Sequence, residues 1–566
     1  MKTPNFNDLY TPEGEMARGG EWDIYPRPTL VRDSFFSLNG QWEFSGGGMA
    51  EETITVPFPP ESLLSGIHRS MGTRPQLIYK KTFTLPEGFV RDRVLLHFGA
   101  VDQCAYVTLN GNSLPAHQGG YDPFTFDITD YLEDTNTLIV MVTDDLPSKV
   151  LPYGKQCEKR GGMWYTPVSG IWQTVWIESV PAEYVHSLRI ETGTDFAVIH
   201  AEGVTDGTVT VTAPEGEISA AMQDGVARVD IPSPRRWCPE DPYLYEFTLQ
   251  TANDYVRSYF AIRTLDIRKV DGIARLCLNG KPYFFHGVLD QGYFSDGIFT
   301  PASPACYDND ILAMKKLGFN MLRKHIKIEP EYFYYACDKM GMIVFQDMVN
   351  NGDYSFIRDT ALPTVGLKSL PDRHLHRDPA TRQAFIDGME KTVRNLYNHP
   401  CICCWTIFNE GWGQFESTAM YHRLREMDST RFIDTASGWF RPSHSDVDSH
   451  HVYFKPVKLK SSDKPIFLSE FGGYVYREAG HVFNPDKTYG YRIFDNRQKF
   501  EDALIELYEN EVIPHIAAGL CATVYTQLSD VEDETNGLLT YDRKVCKVDA
   551  ARMQDVAKQI KNGLLP

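Results

Sequence analysis

The sequence predicts a multidomain protein: an N-terminal jelly-roll β-sandwich, a smaller immunoglobulin-like β-sandwich and a C-terminal (β/α)8 TIM barrel. Three observations predict it. Up to about residue 265 the apolar residues recur every second position between turn signals, with no helical period competing. From about Phe284 onward, strand-like runs alternate with helical stretches. Two of those later runs, Ile402–Asn409 and Pro465–Ser469, are each followed by a glutamate. A buried strand that delivers an acid at its C-terminal end is how a β/α barrel builds a catalytic floor.

The first region, 1–180, reads as short strands and turns. Leu38-Asn39-Gly40-Gln41-Trp42-Glu43-Phe44 alternates around an Asn-Gly turn, and Ala105–Leu109 runs into Asn110-Gly111, a hairpin signal. Val94–Phe98, Leu138–Val142 and Thr174–Glu178 complete the alternating set. The stretch 181–267 repeats the pattern on a smaller scale, with Thr208–Thr212 and Tyr245–Leu249 as strands, which suits an immunoglobulin-like sandwich. In 268–566 the candidate barrel strands are 283–288, 319–323, 342–346, 402–409, 431–435, 447–451, 465–469 and 522–527. Helical segments such as 308–317, 330–340, 379–397 and 498–518 lie between them.

Composition narrows the function. A net charge of −19 argues against nucleic acid or an anionic membrane surface as the main partner. The longest apolar runs are too short to span a bilayer, and Met1–Thr29 has no apolar signal core, so a cytoplasmic location is expected. The 11 cysteines lack metal-site spacing and read as free thiols of a reducing compartment. With no Gly-rich phosphate loop after a strand, neither a redox nor a nucleotide cofactor is expected. A metal ion is conceivable only as an accessory near the acidic loop 530–534. A homo-oligomer is compatible with the chain.

Two glutamates on different strands suggest paired carboxylates, one protonated to donate to a leaving group and one ionised to attack. The order of domains and several motifs now carry a resemblance. In the first region they are Arg32–Trp42, Val56–Ser62, Gly119–Phe124 and Ser169–Trp176; in the barrel, Leu317–Arg323, Phe408-Asn409-Glu410 and Ser469-Glu470-Phe471-Gly472. In this order they resemble glycoside hydrolase family 2, the family of β-galactosidases, β-glucuronidases and β-mannosidases. The resemblance implies Glu410 as general acid/base and Glu470 as nucleophile of a retaining exo-glycosidase. It also implies that Asn409 binds the sugar 2-hydroxyl and that Arg323 holds the nucleophile ionised. Trp405, Trp412, Trp439, Tyr453, Tyr474 and Tyr525 lie in or near strand ends, where one or more would stack on sugar C–H faces. His450 and His451 stand near the sixth strand within reach of a hydroxyl. Gln527, Asp530 and Asp533 follow the eighth.

The sequence also departs from the family. After Gly287-Val288, where many members have Asn and His, this chain has Leu289 and Asp290, so Asp290 is the candidate hydroxyl ligand there. β-Glucuronidases resembling this chain carry an Asn-x-Lys clamp on the substrate carboxylate before the last glycine of the eighth-strand loop. Here Glu534-Thr535-Asn536-Gly537 has no lysine, and Glu532, Asp533 and Glu534 stand close by. A neutral terminal sugar is therefore expected, a β-D-galactoside first, over a glucuronide. Lys324 or Lys327 would be the substitute clamp for a β-glucuronidase, and an α-L-arabinosidase is a further alternative. A catalytically silent carbohydrate-binding protein on the same scaffold is the competing class.

Overall fold

The structure, a computed structural model, describes residues 6–46, 50–362, 372–438, 440 and 444–564. Its first sandwich packs an antiparallel sheet of Phe36–Ser37, Val175–Val180, Arg93–Phe98 and Phe124–Asp127 on a second sheet. The second sheet runs Glu52–Val56, Gly40–Gly46, Gln76–Phe83, Asn136–Thr143, Cys104–Leu109 and Asn112–Ser113. Strand Asn136–Thr143 shows why: every second side chain is buried, so one face must cover another sheet. At Asn110-Gly111 both residues take positive φ, 50° and 81°, and join Leu109 to Asn112 as the expected two-residue hairpin. Asn39-Gly40 does something else. Phe36–Ser37 pairs in one sheet and Gly40–Gly46 in the other, so this dipeptide carries the chain between sheets.

The second sandwich sets Ser187–Thr192, Phe196–Glu202 and Val226–Asp230 against Gly216–Met222, Gly207–Ala213, Tyr245–Gln250 and Tyr255–Phe260. Arg263 seats it on the barrel by donating to the carbonyls of Pro400 and Ile402 at 2.6 and 2.7 Å.

The barrel strands are β1 (Phe285–Asp290), β2 (Met321–Lys324), β3 (Ile343–Asp347), β4 (Ile402–Asn409), β5 (Phe432–Ser437), β6 (Asp448–Val452), β7 (Ile466–Gly472) and β8 (Leu520–Thr526). They form one parallel sheet, in the order β5-β4-β3-β2-β1-β8-β7-β6. The ring is closed between β5 and β6 by side chains: Ser449 donates to Asp434 at 2.7 Å, and Ser437 lies 2.8 Å from His451. Every residue of β4 and β7 is buried, which is why both read as continuous apolar runs. Cys401, Cys403 and Cys404 are buried free thiols there.

Helices flank the strands at Ala305–Lys316, Glu331–Met340, Pro379–Leu396, Ser417–Met427, Arg497–Leu507 and Ala550–Leu564. The helix expected over 498–518 ends at Leu507 and continues as a π turn and a 3₁₀ turn to Ala518. Pro514, which has no N–H for an α-helical bond, falls at the start of the 3₁₀ turn. Among the described residues no helix is long and apolar enough to cross a membrane.

Candidate active site

Glu410 follows β4 directly. Its φ of 52° is unusual for a side chain other than glycine, while its N–H still donates to Ser437 O at 2.9 Å. The backbone thus stays on the sheet edge while the carboxyl turns toward the barrel axis. Glu470 sits inside β7, where the register slips against β8 between Leu468 and Phe471. Such an irregularity re-aims a side chain. His451 is the cross-strand partner of Glu470 on β6.

His451 Nδ1 lies 2.7 Å from Glu410 Oε1 and 3.5 Å from Glu470 Oε2. One oxygen of each carboxyl and one ring nitrogen all fall within 4.8 Å of one another. Arg323, fully buried on β2, donates to Glu470 Oε1, Asp347 Oδ1 and Asn409 Oδ1 at 3.0, 3.0 and 2.9 Å. A guanidinium only donates, so it must face the amide oxygen of Asn409, leaving that amide's N–H groups for another partner. Tyr453 OH donates to the other oxygen of Glu470 and lies 3.0 Å from Thr526 Oγ1. His325 braces Asp347 at 2.8 Å.

Burial would raise the Glu470 carboxyl. The charges of His451, Arg323 and His325 and the Tyr453 hydroxyl outweigh that and hold it well below the usual carboxylate range. Deeper in the barrel, Asp434 goes the other way. Burial pushes it up to about 6 despite the Ser449 hydrogen bond, and its Oδ1 has no hydrogen-bond partner among the described residues.

Of the residues singled out in the sequence, the structure brings Glu410, Glu470, Asn409 and Arg323 together, with Tyr453 and His451 between them. Others are used elsewhere. Asp290 is buried with both oxygens taken, one by Lys324 at 2.6 Å and one by Gly292 N at 2.8 Å. Lys324 also pairs with Glu329, and Lys327 with Glu329 and two carbonyls, so neither proposed substitute clamp faces the mouth unpaired. His450 lies on the opposite face of β6 from His451, 3.3 Å from Asp448. Tyr525 is wholly buried against Phe471, and Tyr474 packs on Phe494 and Arg492. Trp405 donates to Asp428 outside the strand ring. Gln527 is buried and links Gln291 to Asn536 and Glu534. Asp530 is held by Lys547 at 2.6 Å. Trp439 lies outside the described residues.

Sequence reasoning missed one element altogether. Residues 149–168 leave the first sandwich and cross to the barrel mouth. Tyr153 N and Gly154 N donate to Asn350 O at 3.0 and 3.3 Å, and Trp164 packs on Trp412 and Tyr354. Arg160 pairs with Glu532 and Asp533, and Tyr165 OH donates to Glu534. The acidic eighth-strand loop is therefore tied to this arm and is not a solvated patch. A connection of this length within a compact sandwich was the available signal.

Comparison with known proteins agrees with this architecture. The profile of "Glycosyl hydrolases family 2, TIM barrel domain" matches residues 269–562, the family's sugar binding domain matches 63–181, and a third profile of the family matches 188–263. The β-galactosidase of Priestia megaterium is 22% identical over 504 residues, covering 79% of this chain and 45% of that enzyme. The β-glucuronidase of Felis catus is 24% identical over 484 residues, covering 74% of this chain and 70% of that protein. The chain thus spans about half the length of the β-galactosidase it matches. Among solved structures, the β-D-glucuronidase of Dictyoglomus thermophilum superposes with a TM-score of 0.74 at 19% identity, over 96% of this chain and 99% of that one. The β-galacturonidase of Eisenbergiella tayi bound to galacturonate gives 0.68 at 17%, over 95% and 99%. These last two likenesses are of fold.

Proposed function

The chain belongs to glycosyl hydrolases family 2, and from that premise we propose that it is a retaining exo-β-glycosidase. The observation that carries this reading is the pair Glu410 and Glu470, whose nearest oxygens lie within 4.8 Å across His451. Retaining enzymes hold their carboxyls about 5–5.5 Å apart, and inverting ones leave about 6.5–9.5 Å for a water. Glu470 is the ionised partner and attacks the anomeric carbon. Glu410 gives its proton to the departing glycosidic oxygen. A glycosyl ester to Glu470 results. Water then attacks that ester, giving its proton to Glu410 and releasing the sugar with its original anomeric configuration. The N–H groups of Asn409 suit a sugar hydroxyl beside the reacting carbon. The arm 149–168 walls one side of the mouth, which supports removal of a terminal residue over cleavage within a chain.

For the glycone, the expectation of a neutral sugar, a β-D-galactoside first, rests on the missing lysine before Gly537. A second reading, a β-D-uronide, is favoured by one observation: Arg160 already answers Glu532 and Asp533, and Lys155 of the same arm has no carboxylate partner among the described residues.

A panel of nitrophenyl glycosides (β-galactoside, α-L-arabinopyranoside, β-glucuronide, β-galacturonide) tests both levels. At least one should be hydrolysed, with the first-formed anomer retained by NMR. Glu470→Ala should lose at least about 10³-fold in kcat. Glu410→Ala should lose about 10²–10⁴-fold with poor leaving groups and far less with nitrophenolate. An inverted product, or equal losses for both leaving-group classes in Glu410→Ala, would refute the assigned roles.

A further inference from the structure

The arm brings a cation to the mouth and holds it from both sides. On one side Tyr153 and Gly154 are hydrogen-bonded to Asn350, and Gly154 has a φ of +65°. A Cβ at Gly154 would come within 2.9 Å of Ile326 O, so this close approach to the loop after β2 needs glycine. On the other side Tyr165 N donates to Lys155 O at 3.0 Å, while Tyr165 OH and Thr166 N bind Glu534 and Glu532 of the loop after β8. Lys155 is therefore fixed between the ends of β2 and β8, over β1. Its ammonium lies 5.8 Å from the Trp164 ring, and the residue as a whole is half-buried. Lys324, Lys327, Lys547 and Arg160 each pair with acids. Lys155 makes no ion pair and no side-chain hydrogen bond among the described residues. The groups its charge acts on are Glu534, itself bound by Tyr165 and Gln527, and His325, bound to Asp347.

The placement has a chemical direction. The leaving oxygen must face Glu410 at the end of β4. On the reading proposed above, the ring it leaves lies on the Glu470 side of the mouth, toward β8, the neighbour of β7, and so toward the arm that carries Lys155. An ammonium held at the mouth without a carboxylate of its own is free to pair with one that a ligand brings. We infer that Lys155, contributed by the non-catalytic sandwich, is the specificity-determining residue that pairs with a carboxylate on the glycone, so that the substrate is a β-D-uronide. The inference rests on the glycosidase reading above and goes beyond it. It places the discriminating charge outside the barrel, which explains how the eighth-strand loop can lack the clamp lysine before Gly537.

The test compares wild type, Lys155→Met and Lys155→Arg on nitrophenyl β-D-galacturonide, β-D-glucuronide and β-D-galactoside, with thermal melting as the check on folding. Wild type should turn over at least one uronide faster than the galactoside. In Lys155→Met the ratio of kcat/KM for that uronide to kcat/KM for the galactoside should fall by about 100-fold or more, and Lys155→Arg should restore much of it. Calorimetry with free galacturonate and glucuronate gives a readout independent of turnover: binding to Lys155→Met should weaken by a similar factor. A wild type that prefers the galactoside, or a Lys155→Met variant whose ratio is unchanged, would overturn the inference and leave the glycosidase reading standing. A wild type inert on every glycoside would sink that reading, and this inference with it.

Discussion

At the scale of residues, the site separates two carboxyls of the same kind by what surrounds them. Glu470 has a guanidinium on one oxygen and a phenol on the other, with an imidazole close by. Glu410 has the imidazole and the open mouth. Tyr453 is the contact that most directly tests the arrangement, because Phe keeps the ring and removes only the hydrogen bond. Its hydroxyl favours the ionised form of Glu470, so its loss raises the Glu470 carboxyl. The nucleophile must be ionised, and activity falls as pH drops through that value. In Tyr453→Phe the acidic limb of kcat/KM should move toward neutral pH, with a loss of about 10-fold or more in kcat at the optimum. An acidic limb at the wild-type position would show that the hydroxyl does not tune the nucleophile. Asp434 supplies a second test with the opposite sign. Its folded value is raised to about 6, so its burial costs nothing while it is protonated and destabilises increasingly as pH rises from its unfolded value toward 6. Asp434→Asn should stabilise the protein above pH 6 by about 2–3 kcal/mol and change little near pH 4, as read by urea unfolding at the two pH values.

At the scale of elements, strand periodicity carried much of the sequence reading and could have carried more. The apolar runs of β4 and β7 announced buried parallel strands, and the acids after them were legible as a pair. The hairpin at Asn110-Gly111 was written in the dipeptide. On β6 the same alternation separates neighbouring residues. Side chains alternate along a strand, so neighbours His450 and His451 are expected on opposite faces, with Tyr453, just past the strand end, following His451. The structure puts the first two beside Glu470 and His450 on Asp448. The element predicts a contrast between neighbours. His451→Asn should lower kcat/KM by about 10²-fold, since the imidazole touches Glu410, and His450→Asn should cost less than about 3-fold. Equal losses in both variants would mean that the face assignment does not govern the chemistry. What strand periodicity could not reveal is long-range partnership. Asp290 looked like a ligand in the sequence because nothing there shows that Lys324 and Gly292 consume its oxygens. Arg160 sits in a stretch without period, and its meeting with Glu532 and Asp533 after β8 spans more than 360 residues of chain.

At the scale of the whole molecule, the two sandwiches are not appendages. The first sends its arm to the mouth, the second anchors on the base of β4, and a buried ion cluster locks one to the other. Arg32 donates to Glu178 at 3.0 Å, to Asp254 at 2.7 Å and to Val185 O at 2.6 Å. Arg27 and Tyr25 add to Glu178 at 3.0 and 2.8 Å. Burial would raise the Glu178 carboxyl, but Arg27, His97 and Arg32 together hold it far below the usual range. A carboxylate whose folded value is depressed stabilises the native state above its unfolded value, and that contribution is lost as pH falls through the folded one. Arg32→Met keeps most of the side-chain volume and leaves Glu178 and Asp254 buried with one cation fewer. Removing one partner of a buried pair costs about 3–5 kcal/mol, more than the pair itself contributes over an apolar replacement. At pH 7 the variant should unfold at lower urea, with the sandwich interface opening before the barrel as a separate transition. The gap from wild type should narrow as the medium is acidified, because Glu178 in the variant takes up a proton at higher pH and sheds its unpaired charge. A gap that stays constant between pH 7 and pH 4 would show that Arg32 acts through packing and not through charge. Urea titrations followed by tryptophan fluorescence report this directly, since Trp176 of the first sandwich stacks on His97 beside Glu178.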